Sequence, residues 1–376
     1  MTTASAAATS VPLPFAPADV RLGVIGSGAG LYQAMMAVQA LGVPVVAVAT
    51  QRSAQEEAQS QELQGYRQRG WYGNLDEAAQ RMGARFLRTP DLNSEDSVRA
   101  LKACGASLIV SVSAQILRAE FVRAFAGFVF NIHGSAVYRG RAGLSWAILN
   151  GLQADRIVLH WVAQAIDAGP VVVERPYAWP AGCYPIDIMA AQFQAYRLLL
   201  ADFAAILRDG WVPCADHGDN AKLYFPLIRG ERDGLVPWDW APEAVETFVR
   251  AFGWPYAGAL GCVRDSRGRT AAVHLARCQP VKDDARSFHP FCNGVPVRYG
   301  PGGSVDIVAG GRLLRLLTVR NGWDEAPART AVRLGGRFVS APALAQEAEG
   351  DGREPEAVRH FAADVAGVGG GAPTHD

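Results

Sequence analysis

Short apolar runs alternate with amphipathic segments in the N-terminal part of the chain, up to residue 215. The runs have the length of buried strands, and the segments between them repeat apolar residues at helical spacing. Strands, the first of them with a glycine-rich turn, are predicted at 21–30, 43–50, 85–88, 107–112, 128–133 and 157–162. Helices are predicted at 31–42, 74–83, 94–104, 118–125, 144–150 and 184–208. This alternation predicts an α/β fold with a doubly wound, mostly parallel sheet.

The pattern changes after the polar run Asp216–Asn220. A helix is predicted at 242–252 and is followed by short apolar runs between Gly, Asp and Pro turns. These runs predict strands at 259–263, 270–275, 305–308 and 313–319. Short strands separated by turn signals are typical of a small β-barrel.

Composition adds two terminal segments to these domains. The N-terminus lacks the basic region and long apolar core of a signal peptide, and the C-terminus is rich in acidic residues and glycine. We therefore expect a flexible leader at 1–19, a first domain at 20–215, a linker at 216–240, a barrel domain at 241–345 and a tail at 346–376.

Charge and cysteine content narrow the function classes. Lysine plus arginine and aspartate plus glutamate both number 36, and this neutrality speaks against a nucleic-acid partner. No run approaches the roughly 18 apolar residues of a membrane span, so we expect a cytoplasmic protein. The six cysteines are scattered without a CxxC pair, which favours buried thiols over a metal site or disulfides.

The glycine-rich turn at Gly26-Ser27 invites a dinucleotide-binding interpretation, but the spacing is not the full fingerprint. The second strand ends in Thr50-Gln51-Arg52, without the acidic residue that would hold a ribose. Two readings stay open: backbone amides that bind a substrate phosphate at a helix N-terminus, or a purely structural turn.

Candidate catalytic groups follow two predicted strands. The strand at 128–133 ends in Asn131-Ile-His133, where alternation points both polar side chains the same way. A second strand leads into a loop with Asp167 and Gly169. An amide, an imidazole and a carboxylate at strand ends predict a site for acyl transfer to an amine.

These motifs resemble the folate-dependent formyltransferases, which carry an Asn-x-His pair, a Ser-containing loop and an Arg-Gly pair. Here they are Asn131-Ile-His133-Gly-Ser135 and Tyr138-Arg-Gly140, and His160 precedes Asp167-Ala-Gly169 at the spacing of the family. The resemblance extends over about 20–345 and is greatest to amino-sugar N-formyltransferases such as the one acting on UDP-4-amino-4-deoxyarabinose. It implies a Rossmann-like formyltransferase domain followed by a smaller OB-like barrel.

The resemblance also implies roles for individual residues. Asn131 would stabilise the oxyanion, His133 would donate a hydrogen bond or take the amine proton, and Asp167 would orient His133. His160 is expected to be structural support. Cofactor contacts are expected from Ser113, Gln115, Ile116, Leu117, Ile166 and Gly169. Substrate contacts are expected from Ser135, Tyr138, Arg139, Arg141, Gly26 and Ser27. Turn closure by Ser135, solvated arginines and ordinary packing of the 113–117 loop are the alternatives.

The expected function is formyl transfer from 10-formyltetrahydrofolate to an amino sugar that is nucleotide- or carrier-linked, without a metal. The turn from Ser135 to Tyr138 is shorter than in the family. The resemblance therefore does not fix the identity of the acceptor or the shape of the donor pocket. Methionyl-tRNA formylation, another donor such as an acyl-CoA, and a non-catalytic scaffold are the alternatives. A homodimer also stays open.

Overall fold

A computed structural model describes residues 9–140, 143–215, 223–228, 233–321 and 324–339. The chain divides into two compact units. The first comprises residues up to 147 together with 152–181 and 187–227, and the second comprises 148–151, 182–186 and the chain from 228 onward. No helix within the described ranges has the length and hydropathy needed to cross a membrane.

Strands and helices alternate along the first unit. The strands are β1 (Thr9–Pro12), β2 (Leu22–Gly26), β3 (Val45–Thr50), β4 (Arg85–Arg88), β5 (Leu108–Val112), β6 (Val129–His133), β7 (Tyr138–Arg139), β8 (Ala154–Trp161), β9 (Val171–Ala178), β10 (Trp211–Cys214) and β11 (Leu223–Tyr224). The helices are α1 (Gly28–Gln39), α2 (Ala54–Gln59), α3 (Gln61–Gln68), α4 (Leu75–Arg81), α5 (Glu95–Ala103), α6 (Ala119–Ala124), α7 (Gly143–Leu149) and α8 (Pro185–Asp209).

The central sheet of the first unit has the order β4-β3-β2-β5-β6-β8-β9. The strands from β4 to β6 run parallel, whereas β8 and β9 are antiparallel to their neighbours. Every residue of β2 and β5 is buried, as expected for parallel strands covered on both faces. The predicted doubly wound, mostly parallel sheet is confirmed.

The core beneath this sheet explains why short apolar runs suffice as strands. Leu92, Leu101, Ile109, Phe121 and Val129 are fully buried in one cluster. Burying a side chain of this size stabilises the fold by about 1.5–3 kcal/mol relative to exposure. Side chains cap the N-termini of helices α2 to α5. Ser53, Ser60, Asn74 and Ser94 each accept a hydrogen bond from a backbone N–H of the first turn.

Part of the predicted flexible leader is ordered. Thr9–Pro12 pairs antiparallel with Trp211–Cys214, so the leader prediction is wrong for these residues. β1 buries none of its residues, and β10 is only partly buried. The sequence therefore has no apolar pattern from which β1 could be predicted. Residues 1–8 and the predicted tail at 346–376 lie outside the described residues.

The second unit is built on an antiparallel sheet. Its elements are α9 (Pro242–Ala251), β12 (Ala259–Arg264), β13 (Thr270–Pro280), β14 (Pro296–Tyr299), β15 (Val305–Ala309), β16 (Arg312–Asn321), β17 (Asp324–Pro327) and β18 (Arg337–Val339). The order is β14-β15-β16-β13-β12-β18, and β17 also pairs with β16. The two edges meet where Phe338 N–H donates to Gly294 O at 2.8 Å. The predicted barrel is confirmed as this curled sheet.

A buried carboxylate links three neighbouring strands of the second sheet. Asp306 on β15 is opposite Arg298 on β14 and Arg315 on β16. The Nε atoms of Arg298 and Arg315 donate to it at 2.6 and 2.7 Å, and its side chain is 0% exposed. Burial alone would raise the pKa of Asp306, but the two guanidinium groups outweigh it and hold the pKa below its usual range.

Candidate active site

The strand pairing of the first sheet brings two candidate groups together. Because β6 and β8 are antiparallel, Asn131 lies directly opposite His160. The side-chain nitrogen of Asn131 is 3.2 Å from His160 Nε2. His133 is two residues further along β6, at the carboxyl end of the strand, where ligands bind in sheets of this kind.

The loop between β8 and β9 delivers the carboxylate. Asp167 has a φ of 50°, in the left-handed region, which aspartate tolerates better than most residues. Two residues later, a Cβ on Gly169 would lie 1.7 Å from the Trp161 carbonyl oxygen. Only glycine permits that approach, so Gly169 fixes the path of the loop that carries Asp167.

The Asp167 carboxylate contacts the other two predicted catalytic residues, Asn131 and His133. Its Oδ2 accepts a hydrogen bond from Gly140 N–H at 2.9 Å and lies 3.5 Å from His133 Nδ1. Its Oδ1 lies 3.4 Å from the Asn131 amide nitrogen and 3.7 Å from His160 Nε2. The predicted set of Asn131, His133 and Asp167 is therefore one cluster, with His160 as its fourth member.

The surroundings of Asp167 keep it ionised. Burial alone would raise the pKa of Asp167. The contact with His160, the charge of His133 and the Gly140 N–H outweigh burial and hold the pKa well below its usual range. The carboxylate is thus negatively charged near neutral pH.

The carbonyl neighbours of the two histidines set their tautomers. His160 Nδ1 is 2.8 Å from Trp161 O, and His133 Nε2 is 2.6 Å from Tyr138 O. Carbonyl oxygens only accept, so each of these ring nitrogens carries the hydrogen. His160 Nε2 then accepts from Asn131, and His133 Nδ1, which faces Asp167, is the nitrogen that takes up a further proton.

The turn after β6 is held by buried polar groups. Tyr177 Oη and Gln192 Nε2 donate to Gly134 O at 2.5 and 3.0 Å. Ser135 Oγ donates to Asp155 at 2.5 Å and accepts the Tyr138 N–H at 2.8 Å. The buried hydroxyl of Ser135 thus closes the turn, the alternative given above, and its predicted substrate contact stays a prediction.

The residues predicted to contact the acceptor differ in the exposure and contacts of their side chains. The ring of Tyr138 is buried against Phe225, with centroids 5.2 Å apart, so Tyr138 reaches the site through its carbonyl. Arg139 is half-buried, and its Nε has no hydrogen-bond partner among the described residues. Arg141 lies outside the described residues.

Two loops form the predicted donor side. Ile116, on the loop after β5, is 70% exposed. Ile166, on the loop between β8 and β9, is 42% exposed. Leu117 packs instead against the core cluster. The Gln115 amide donates to Asp91 and accepts from Leu92 N–H, so this side chain anchors the loop after β5. Its predicted cofactor contact stays a prediction.

The glycine-rich turn has a structural reason of its own. Gly26 has a φ of 147°, and a Cβ there would lie 1.8 Å from the Val112 carbonyl oxygen. Ser27 Oγ donates to Ser113 O at 2.8 Å, and Ser113 has a φ of 53°. Both residues of the predicted substrate contact thus tie the turn to the end of β5.

Several groups at the site escape sequence reasoning. Asp155, Tyr177 and Gln192 hold the turn after β6 and belong to none of the motifs, and the N–H of Gly140 was not foreseen as a partner of Asp167. For Gly140 a signal exists, since its φ of 88° requires glycine inside the Arg-Gly pair. Strand β11 has no such signal, because it is only two residues long and lies in a predicted linker.

Known proteins resemble this chain in sequence and in fold. The family model described as formyl transferase matches residues 22–178. Among solved structures, a variant of HypX from Aquifex aeolicus aligns with a TM-score of 0.53 at 14% identity, covering 83% of this chain and 48% of that one. The chain therefore spans about half the length of HypX.

Two further solved structures align along nearly their whole length. WlaRD, a sugar 3N-formyl transferase crystallised with dTDP and 5-N-formyl-THF, gives a TM-score of 0.52 at 12% identity, covering 79% of this chain and 96% of that one. The N-formyltransferase from Helicobacter canadensis, in complex with folinic acid and dTDP-3-aminofucose, gives 0.51 at 12% identity, covering 79% and 98%. At these identities the likeness shows the fold. The chain therefore contains a formyl transferase domain at residues 22–178.

Proposed function

We propose that the chain transfers a formyl group from 10-formyltetrahydrofolate to the amine of a nucleotide- or carrier-linked amino sugar in the cytoplasm. The observation that carries the proposal is the cluster of Asn131, His133 and ionised Asp167 at the carboxyl ends of the strands. Support for the substrates comes from the fold relatives WlaRD and the Helicobacter canadensis enzyme, whose structures hold formylated folates with dTDP or dTDP-3-aminofucose.

The residues on the donor side fit a flat ring with a polar edge. Exposed Ile116 and Ile166 offer apolar contacts on two loops, and the backbones of those loops supply polar groups beside them. When bound there, the donor supplies an electrophilic formyl carbon. Asp167 follows Ile166 directly, so the loop that would contact the donor also carries the catalytic carboxylate.

Proton transfer is the main task of the cluster. The reaction joins the acceptor nitrogen to the formyl carbon, breaks the bond from that carbon to the donor nitrogen, and moves one proton from the amine to that donor nitrogen. His133 Nδ1 takes the proton and later returns it. Asp167 Oδ2, at 3.5 Å from that nitrogen, stabilises the imidazolium in the interval.

Asn131 is suited to stabilising developing negative charge. Its amide hydrogens point to His160 Nε2 and Asp167 Oδ1, and the second contact is long at 3.4 Å. This weakly held hydrogen is available to a developing oxyanion. Such an interaction typically contributes about 2.7–4 kcal/mol. His160 keeps the amide in its orientation by accepting the other hydrogen.

The alternative acceptor, a charged tRNA, is less well supported. Binding tRNA relies on lysine and arginine contacts to phosphates, and the chain as a whole has a formal net charge of +0. No feature of the described residues favours an acyl-CoA donor over a folate.

The direct test is a transfer assay with the full chain, 10-formyltetrahydrofolate and a panel of nucleotide-linked amino sugars. We expect release of tetrahydrofolate together with the formylated acceptor, identified by mass spectrometry. His133→Ala should abolish both products, whereas His289→Ala, which changes an exposed histidine of the second unit, should leave them unchanged. Absence of product with every amino sugar, or wild-type rates in His133→Ala, would contradict the proposal.

A further inference from the structure

Residues 223–227, here called the strap, lie along the turn that follows β6. Leu223–Tyr224 pairs in parallel with Tyr138–Arg139, and Leu223 N–H donates to Val137 O at 2.8 Å. Trp146 Nε1 donates to Pro226 O at 3.0 Å. The strap is therefore held by backbone and side-chain bonds beside the turn whose shortness left the acceptor open.

Alternation sorts the rings of the strap onto two sides. Phe225 packs between Tyr138 and Trp146, with ring centroids at 5.2 and 4.7 Å. Tyr224 points to the other side, where its paired residue is Arg139. Tyr224 is 67% exposed, which is unusual for an aromatic residue in a paired strand.

The Tyr224 ring lies close to the catalytic carboxylate. Gly140 donates its N–H to Asp167 Oδ2 at 2.9 Å. A Cβ built on that same Gly140 would lie 3.5 Å from the Tyr224 ring, which is van der Waals contact. One residue thus separates the exposed ring from the group that handles the proton.

Arg139 adds a positive charge on the side of the strap where Tyr224 is. Its Nε is buried and has no hydrogen-bond partner, and no ion pair of Arg139 exists among the residues that the structure describes. A guanidinium group prefers a planar or phosphoryl anion that can accept two of its hydrogens. An aromatic face and an unpaired guanidinium side by side suit a ligand with a flat ring and a phosphoryl group.

We propose that Tyr224 is a specificity-determining residue: its ring stacks on the base of a nucleoside-diphosphate-linked acceptor, while Arg139 pairs with the diphosphate. Assigning this ligand to the acceptor rests on the proposed function. The strap lies beside the shortened turn from Ser135 to Tyr138, and it contributes the residue that selects the acceptor. Base–aromatic stacking tolerates different bases, so Tyr224 selects for a nucleotide rather than for one base.

The test measures equilibrium binding without a formyl donor. Calorimetric titrations would use uridine diphosphate and, separately, inorganic pyrophosphate on the full chain. We expect Tyr224→Ala to weaken uridine diphosphate binding by roughly tenfold or more and to leave pyrophosphate binding unchanged. Tyr224→Phe should retain wild-type affinity, and Arg139→Gln should weaken both ligands. Tyr299→Ala, at an exposed tyrosine of the second unit, is the matched control and should change neither.

Two outcomes would overturn the stacking site. One is wild-type affinity for uridine diphosphate in Tyr224→Ala, and the other is a wild-type chain that binds pyrophosphate as tightly as uridine diphosphate. Either result leaves the proposed function standing if the transfer assay yields a formylated amine. Conversely, a chain that binds uridine diphosphate through Tyr224 and transfers no formyl group overturns the proposed function and keeps the binding site.

Discussion

Asp167 in the first unit is a partly buried carboxylate and Asp306 in the second is a fully buried one, and the pKa of each lies below its usual range. Their partners differ. Asp306 accepts hydrogen bonds from two guanidinium groups at 2.6 and 2.7 Å. Asp167 has one bond of that quality, from the Gly140 N–H, while its side-chain neighbours stand 3.4–3.7 Å away and its side chain is 12% exposed.

This difference separates a structural carboxylate from the one proposed to be catalytic. The arginines around Asp306 stay protonated at any pH the protein meets, so that site has a single charge state. Asp167 instead faces two histidines at 3.5 and 3.7 Å, distances that a bound substrate can shorten. Short fixed bonds stabilise a strand ladder, whereas longer contacts to titratable partners leave a site able to move protons.

The largest effect is expected at Asp167. Asp167→Asn keeps the shape of the side chain and removes the charge that stabilises the His133 imidazolium, so kcat/KM should fall by about 10²- to 10⁴-fold. Circular dichroism should show a folded protein, because the loop is fixed independently by Gly169. Steady-state kinetics of formyl transfer provide the measurement, and a variant with wild-type kcat/KM would remove Asp167 from the mechanism.

Asp306→Asn should show the opposite profile. Replacing this carboxylate leaves Arg298 and Arg315 without their shared anion, and the free energy of unfolding should fall by about 1–3 kcal/mol. Formyl transfer at a temperature where the variant stays folded should match wild type. Urea unfolding monitored beside the kinetics checks both statements; an unshifted unfolding transition, or lost turnover in the folded variant, would abolish the contrast with Asp167.

A smaller effect is expected in the pH dependence of stability. The pKa of Asp167 is lowered in the folded chain, so on acidification the unfolded chain binds the proton first. The stabilisation is complete above about pH 5 and is lost as the pH falls below about 4, toward the folded pKa. The difference in unfolding free energy between wild type and Asp167→Asn should therefore shrink from about pH 7 to about pH 3.5. Urea titrations at both pH values test this, and a difference that is constant or grows on acidification would contradict it.

Long apolar patterns made the sheet of the first unit predictable. Strand β4 falls at the predicted 85–88, and α9 differs from its prediction by one residue at its end. Four strands that were missed are Thr9–Pro12, Val171–Ala178, Pro296–Tyr299 and Arg337–Val339. All four lie at the edge of a sheet, where backbone pairing rather than an unbroken apolar run defines the strand.

The candidate site shows a similar limit. Asn131, His133 and Asp167 could be grouped because all three follow strands that end at one edge of a sheet. Orientation could not be foreseen for Ser135 and Gln115, whose side chains turn inward to hold loops. Polar residues beside a site have the same composition whether they contact a ligand or anchor the backbone, and only tertiary packing distinguishes the two.

The position of the strap bears on how such enzymes can be recombined. The formyl transferase family model ends at residue 178, and the strap follows α8 at 223–227. A chimera cut at the end of the matched domain would carry over Asn131, His133 and Asp167 and leave behind the segment that pairs with Tyr138–Arg139. The exchangeable module therefore extends beyond the matched domain, and a graft intended to keep the proposed acceptor should cross over beyond Leu227.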